Sequence, residues 1–315
     1  MSDVKVDWPV ERAEPGSVGL CPRRLERVAQ VMQRYVDERR ILGGITLVAR
    51  RGRIAHLACT GAMTLQTRAP MRPDGLFRIY SMTKLVTSAA VLMLMEEGRF
   101  LLQQPAFLFL PELKDLQVAV TGEDGVERRV GLERPITIHH LLTHTSGFDY
   151  DYVHTAAGEG LTLEQYLPRQ CQRPLRLQPG RQWLYGASTD ILGRLVEVVS
   201  GMPLDAFFQE RIFAPLGMTD TAFWVPPAKA DRLVEMVTHD GAGGLAPGEP
   251  LHRGSIFEKP AFLSGGGGLV STTSDYLRFS LMLLNGGALD GVRLLAPKTV
   301  ELMRADHLPA GQPPL

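Results

Sequence analysis

Apolar and charged residues alternate regularly near the start of the chain. Between residues 23 and 40 the apolar positions recur at steps of three and four: Leu25, Val28, Met32 and Tyr35. This spacing predicts an amphipathic helix, which the pair Gly43-Gly44 would end. Two runs rich in β-formers follow at 45–50 and 54–59, and the residues between them, Arg51-Gly52-Arg53, suit a hairpin turn.

The segment at 81–97, SMTKLVTSAAVLMLMEE, is apolar on almost every side after its first turn. A helix of this composition is expected to be buried rather than to lie on the surface, and Gly98 would end it. Further helical patterns lie at 137–143, 163–170, 189–199, 203–212 and 273–284.

Signals for strands are weak after the first hairpin. Four consecutive glycines, 265–268, lead into Leu269-Val270-Ser271-Thr272, and Thr273-Ser274-Asp275 then resembles a helix N-cap. No repeat of fixed period is present. The order of elements predicts an α+β protein in which strands are under-represented.

Composition restricts the class of partner. The 315 residues are 44% hydrophobic and 22% charged, and Lys+Arg and Asp+Glu number 34 each. This balance predicts a soluble globular protein without the field needed to hold nucleic acid or an anionic membrane. Neither a secretory signal nor a membrane-length apolar run is found, so a cytoplasmic location is expected. The cysteines Cys21, Cys59 and Cys171 lack paired spacing and are expected to be reduced structural thiols.

One Ser-x-x-Lys match is placed where it could support nucleophilic chemistry. Ser81 begins the buried helix, where unpaired N–H groups and the positive helix end favour a developing oxyanion. Lys84 follows on the same helix face and could accept a proton or hold a neighbouring phenol as its anion. The tetrapeptide alone is weak evidence: Ser2-Asp3-Val4-Lys5 matches as well, and a capping serine beside a solvated lysine explains it equally.

Other motifs are weaker evidence for a function. His140 and His144 stand four residues apart, but Leu141 replaces the glutamate of a zinc hydrolase, so packing or loop hydrogen bonding is expected. No serine lies in Gly-x-Ser-x-Gly. The glycines at 265–268 are not followed by Lys-Ser/Thr, so they predict tight backbone turning near the site rather than a phosphate cradle.

Four segments, in this order along the chain, resemble the serine β-lactamase-like family: FRIYSMTK (77–84), LLTHTSG (141–147), APLGM (214–218) and SGGGGLVST (264–272). Within that family the chain most resembles the class C β-lactamase-related carboxylesterases, called family VIII esterases, from about Leu25 to Met303. The resemblance implies an antiparallel sheet flanked by helices, plus a helical lobe. Residues 12–98 and 265–315 would form the α/β lobe and 99–264 the helical lobe of one domain.

The same resemblance assigns roles in the site. Ser81 would be the nucleophile and Tyr185, in WLYGAS (183–188), the general base beside Lys84. A phenol with an ordinary pKa of about 10 is a poor base unless a cation stabilises its anion. Substrate contacts would come from Trp183, Ala187, Gly266 and Gly267. The expected partner is a small-molecule ester, and no cofactor or metal is implied.

Two departures from the family pattern affect the expected function. Ala187 stands where class C lactamases have an asparagine for the lactam side-chain amide, which favours an esterase. No counterpart of the Lys-Thr-Gly motif is found, because Lys298-Thr299-Val300 lacks the glycine and sits in a helical pattern. We therefore expect a C-terminally truncated member without the last sheet strands. The alternatives are a β-lactamase or penicillin-binding peptidase, and an inactive pseudoenzyme that binds a ligand or partner.

Overall fold

The computed structural model describes residues 6–249 and 255–309. Its helices in these ranges are α1 (Pro22–Asp37), α2 (Thr83–Glu96), α3 (Ile138–Leu142), α4 (Val153–Gly158), α5 (Leu163–Cys171), α6 (Ser188–Ser200), α7 (Leu204–Phe208), α8 (Ala214–Leu216), α9 (Thr273–Leu284) and α10 (Pro297–Met303). The strands are β1 (Gly43–Arg50), β2 (Arg53–Gly61), β3 (Phe77–Arg78), β4 (Gln117–Thr121), β5 (Glu127–Gly131), β6 (Val237–His239), β7 (Leu245–Pro247), β8 (Val270–Ser271), β9 (Ala288–Leu289) and β10 (Val292–Arg293).

The predicted helix and hairpin at the start of the chain are confirmed. Strands β1 and β2 pair antiparallel, with a bulge between Val48 and Ala49. The turn is shorter than predicted, because Arg53 already pairs with Arg50. Arg51 and Gly52 have φ values of 54° and 68°, the two consecutive positive values that a two-residue type I′ turn requires.

The edge of β1 that faces away from β2 has no strand partner within the described ranges. A cavity of about 470 Å³ lies there, and residues of β1, β3, β8 and α9 line it. The pairing of β1 with β2 confirms the predicted antiparallel pair. The absence of later sheet strands stays a prediction, as does the division into two lobes.

Helix α2 is the buried element that its composition predicts. Val86, Ala89 and Ala90 have no exposed surface, and the helix packs against α6. It begins at Thr83 rather than at Ser81, because residues 80–82 form a single 3-10 turn. Tyr80 starts this turn with a φ of 42°, an unusual value for a residue with a side chain.

Two very short strands bring distant parts of the chain together. β3 pairs antiparallel with β8, so that Phe77 lies opposite Ser271 and Arg78 opposite Val270. The tetraglycine precedes β8 and the 3-10 turn follows β3, so this ladder sets the glycines beside Ser81. No strand signal in the sequence marks β3, and the signal at β8 is weak.

The region between α2 and β8 contains helices α3 to α8, and Tyr166, Phe207 and Phe208 in α5 and α7 are fully buried. Two hairpins, β4–β5 and β6–β7, were not predicted there. Residues 209–213 form a π-helical turn that joins α7 to α8. Among the described residues no helix is both long and apolar enough to cross a membrane.

Candidate active site

Ser81 and Lys84 meet at the start of α2. The 3-10 turn leads directly into the helix, so the two side chains lie on one face. Lys84 Nζ lies 3.2 Å from Ser81 Oγ. Met82 and Leu85 beside them are 46% and 47% exposed, so this end of a buried helix opens to the surface.

Lys84 is held by two further acceptors. Its ammonium donates to the Tyr150 hydroxyl and to the Gly266 carbonyl oxygen, each at 2.6 Å. Tyr150 follows α3 in the chain and Gly266 belongs to the tetraglycine. A short charge-assisted bond to each fixes the lysine nitrogen in one place.

Tyr185 lies beside this lysine, as the resemblance implies. Lys84 Nζ is 4.7 Å from the centre of the Tyr185 ring. Burial alone would raise the pKa of Tyr185, but hydrogen bonds with Lys84 and Ser81, and the charge of Lys84, outweigh it and lower this pKa below its ordinary value. Tyr185 is 38% exposed, so part of this residue is accessible from the surface.

Tyr150 is a member of the site that the sequence analysis missed. Burial, followed by the negative charge of Asp190, raises its pKa well above the ordinary value. The hydrogen bond between the two phenols raises the pKa of Tyr150 and lowers that of Tyr185, as expected if Tyr150 donates and Tyr185 accepts. The only sequence signal is the position of Tyr150 three residues after the LLTHTSG segment.

The tetraglycine is shaped by a second missed residue, Asp190 in the first turn of α6. Its Oδ1 accepts from Ser264 Oγ at 2.6 Å and from the Gly266 N–H at 3.0 Å. A Cβ on Gly266 would lie 2.7 Å from Asp190 Oδ2, so only glycine fits there without a shift. Gly267 faces the 3-10 turn, where a Cβ would lie 3.7 Å from the Tyr80 carbonyl carbon.

The remaining predicted site residues divide into two groups. Trp183 stacks on Tyr185 with ring centres 5.9 Å apart, so it borders the site. Ala187 has no exposed surface and belongs to the hydrophobic core. The structure therefore brings Trp183, Gly266 and Gly267 to the nucleophile but leaves the Ala187 methyl group inside the protein.

The histidines support loops, as predicted. His144 Nδ1 accepts from the Gly186 N–H at 3.4 Å, and its ring lies 4.8 Å from that of Tyr185. His140 Nδ1 accepts from the Thr137 N–H in the capping box of α3. Burial, followed by neighbouring positive charge, lowers the pKa of both histidines to about 4.

Two further segments of the sequence resemble catalytic motifs: Lys298-Thr299-Val300 and Ser2-Asp3-Val4-Lys5. Lys298 lies in α10, 87% exposed, and pairs with Glu301 at 2.6 Å, so it has no part in the site. The Ser2-to-Lys5 match lies outside the described residues.

The order and chemistry of these residues agree with one known family. The sequence model of the family described as "Beta-lactamase" matches residues 28–314. This chain belongs to the β-lactamase family. The predicted recognition is thereby confirmed over most of the length of the chain.

Named members of the β-lactamase family are similar to this chain over most of its length. Protein Rv1367c of Mycobacterium tuberculosis is 36% identical over 284 residues, 84% of this chain and 68% of that protein. Esterase EstB of Burkholderia gladioli is 32% identical over 280 residues, 80% of this chain and 68% of the esterase.

Solved structures confirm the predicted fold class. EstCE1, described as a hydrolase with promiscuous acyltransferase activity, superimposes with a TM-score of 0.75 at 29% identity, covering 90% of this chain and 77% of EstCE1. The protein is thus a β-lactamase-fold member of a group that includes esterases and acyltransferases.

Proposed function

We propose that this β-lactamase-family protein is a serine ester hydrolase that works through an acyl-Ser81 intermediate. One observation carries the proposal: Lys84 lies 3.2 Å from Ser81 Oγ and 4.7 Å from the ring centre of Tyr185, whose pKa is lowered by its contacts with Lys84 and Ser81. A nucleophile beside an activated base is the arrangement that covalent catalysis requires.

Acylation follows from this arrangement. As Ser81 Oγ attacks the carbonyl carbon of an ester, the Tyr185 phenolate accepts the hydroxyl proton. The N–H groups at the first turn of the α2 region stabilise the negative oxygen that develops. When the intermediate collapses, the bond to the alcohol oxygen breaks and Tyr185 returns the proton to the leaving alcohol. Water then repeats the sequence on the acyl-serine and releases the acid.

Lys84 and Tyr150 serve Tyr185 rather than the substrate. The Lys84 side chain, 4.7 Å from the Tyr185 ring centre, stabilises the phenolate. Tyr150 stays protonated because its pKa is raised, so it can donate to Tyr185 throughout the cycle. Two donors to one phenol oxygen stabilise its anion and so make Tyr185 a more effective base.

An ester fits this site better than a lactam. Class C lactamases resemble one another in an asparagine at the position of Ala187, and this chain has only a buried methyl group there. Without that amide the site lacks a polar anchor for an acylamino side chain, whereas attack on an activated ester needs only the nucleophile and base.

Transfer of the acyl group to an alcohol is the second candidate function. It needs the same acyl-serine and differs only in the acceptor. Two observations favour it: EstCE1 is described as having both activities, and the 38% exposure of Tyr185 leaves room for an alcohol beside the base.

The test uses 4-nitrophenyl butyrate, penicillin G and three variants. We expect the butyrate ester to turn over far faster than penicillin. Ser81→Ala should abolish turnover by removing the covalent step, and Tyr185→Phe should lower kcat by at least about a hundredfold with KM little changed. Ser2→Ala alters the second Ser-x-x-Lys match and serves as the control, with wild-type rates.

Mass spectrometry of the quenched reaction supplies an independent readout. An added butyryl group on the peptide that contains Ser81 is expected in the Tyr185→Phe variant, because the same base serves deacylation and its loss slows that step as well. Ester hydrolysis that survives Ser81→Ala unaltered would overturn the nucleophile assignment.

A further inference from the structure

Arg78, the last residue of β3, carries a charge without a partner. Within the described part of the chain its guanidinium forms no ion pair and donates no hydrogen bond, and its Nε is buried without an acceptor. A buried cationic donor of this kind is unfavourable unless something else binds it. Arg232, which is likewise partly buried, is by contrast paired with Asp74 and Asp220.

Burial lowers the pKa of Arg78, and only Tyr80 acts in the opposite direction. No carboxylate in the described ranges contributes to this balance. Arginine remains protonated at physiological pH even so, and its five donors are arranged in a planar fork that matches a carboxylate. Arg78 is therefore a preformed anion receptor without an internal anion.

Arg78 borders two cavities: the one at the edge of β1 that faces away from β2, and a second one beside the 3-10 turn that carries Ser81. This second cavity has a volume of about 220 Å³, and its walls include Arg78, Tyr80, Gly267 and Lys259. Tyr80 directly precedes Ser81, and Gly267 follows the glycine whose carbonyl accepts from Lys84. Ser81 is not part of the wall, so the cavity is a side pocket of the site. Three residue steps separate Arg78 from Ser81, which limits the distance between their Cα atoms to about 10 Å.

We infer that this side pocket, beside the proposed acyl-Ser81 centre, binds a carboxylate of the substrate through Arg78, so that the preferred esters are acidic. The inference rests on the proposed function. The carboxylate would be carried a few bonds from the scissile carbonyl, either on the acyl chain or on the alcohol.

Two other charged side chains line the pocket and do not neutralise Arg78. Lys259 pairs with Asp205 at 2.5 Å. Glu258 is exposed and forms no ion pair with Arg78. The side pocket thus offers the charge of Arg78 to an incoming anion, while the carboxylate of Glu258 stays in water.

The experiment compares acidic and neutral esters of matched shape. Mono-(4-nitrophenyl) glutarate against 4-nitrophenyl pentanoate tests a carboxylate on the acyl side, and 4-acetoxybenzoate against phenyl acetate tests one on the alcohol side. Rates with Ser81→Ala are subtracted as background. A charge-assisted contact predicts that kcat/KM favours the acidic member of one pair by about tenfold or more.

Arg78→Gln should remove this preference, and the loss should appear in KM for the acidic ester. Arg78→Lys keeps the charge but not the fork, so it should restore part of the preference. Arg129→Gln is the control, because Arg129 is an exposed residue of β5. If Arg78→Gln fails to fold, Arg78→Lys and the wild-type comparison decide the question.

The two levels of failure are distinguishable. Hydrolysis of neutral esters with no preference for either acidic ester would overturn the role of Arg78 while leaving the proposed function intact. Absence of any Ser81-dependent ester hydrolysis would overturn the proposed function itself. A preference for acidic esters that persists unchanged in Arg78→Gln would also refute the inference.

Discussion

At the scale of single residues, the site contains two tyrosines of identical chemistry with opposite properties. Tyr150 is partly buried, and this burial, followed by the charge of Asp190, raises its pKa, whereas contacts with Lys84 and Ser81 lower the pKa of Tyr185. Neither difference is visible in the side chains themselves. Only their surroundings make Tyr150 a permanent hydrogen-bond donor and Tyr185 a base.

The first prediction concerns Tyr150→Phe. This change removes a donor to Tyr185, so the pKa of Tyr185 should rise. Because the base acts in its deprotonated form, the acid limb of the kcat/KM profile should move to higher pH, with about a tenfold loss on that limb for each unit. Tyr152→Phe is the control, since Tyr152 bonds to Glu159 away from Lys84. An unshifted profile in Tyr150→Phe would contradict the donor role.

Sequence reasoning reached some of these residues and not others for a physical reason. Ser81 and Lys84 share one helical turn, so their spacing predicts their contact. Tyr150 meets Lys84 across 66 residues, and Asp190 meets Gly266 across 76. Such contacts depend on tertiary packing, which no local pattern encodes.

At the scale of helices and strands, the burial of an element decided whether the sequence could predict it. Helix α2 was predicted because it is apolar on almost every side after its first turn. The β4–β5 hairpin was missed because β5 is exposed along its whole length, so it has no alternation of apolar and polar positions. The two-residue strands β3 and β8 are too short to carry any period, yet they align the site.

The second prediction concerns the loop that carries Tyr185. A Cβ on Gly186 would lie 2.1 Å from the Phe148 carbonyl oxygen, so Gly186→Ala must push two backbone segments apart. We expect a loss of about 1–3 kcal/mol in the free energy of unfolding, together with a fall in kcat as Tyr185 moves. Gly131→Ala is the control, because no atom lies within 4 Å of a Cβ there. Equal urea midpoints for the two variants would refute the prediction.

At the scale of the whole molecule, two partly buried histidines make the stability of the fold depend on pH. Burial, followed by nearby positive charge, lowers the pKa of His140 and His144 to about 4, against about 6.5 when unfolded. Above pH 6.5 both states are neutral and these groups contribute nothing. Below it the unfolded chain binds protons that the folded chain does not, so stability falls until about pH 4.

The third prediction follows from this linkage. Urea unfolding measured between pH 6.5 and 4 should show the free energy of unfolding decreasing by up to about 1.4 kcal/mol per pH unit for each such histidine. His140→Asn can keep the acceptor for the Thr137 N–H and should make this slope shallower. His239→Asn, at an exposed position, should leave it unchanged. A slope that is the same in His140→Asn and wild type would contradict the assignment.

The ladder between β3 and β8 also determines when the site can exist. Lys84 and Gly266 lie 182 residues apart, and Phe77 must pair with Ser271 before the glycines reach the nucleophile. During synthesis from the N-terminus, Ser81 and Lys84 therefore leave the ribosome long before their last partners have been translated. Contacts of such long range form late in folding, because closing the intervening loop costs entropy. A nascent chain that stops before Val270 has its serine and lysine but not its active site.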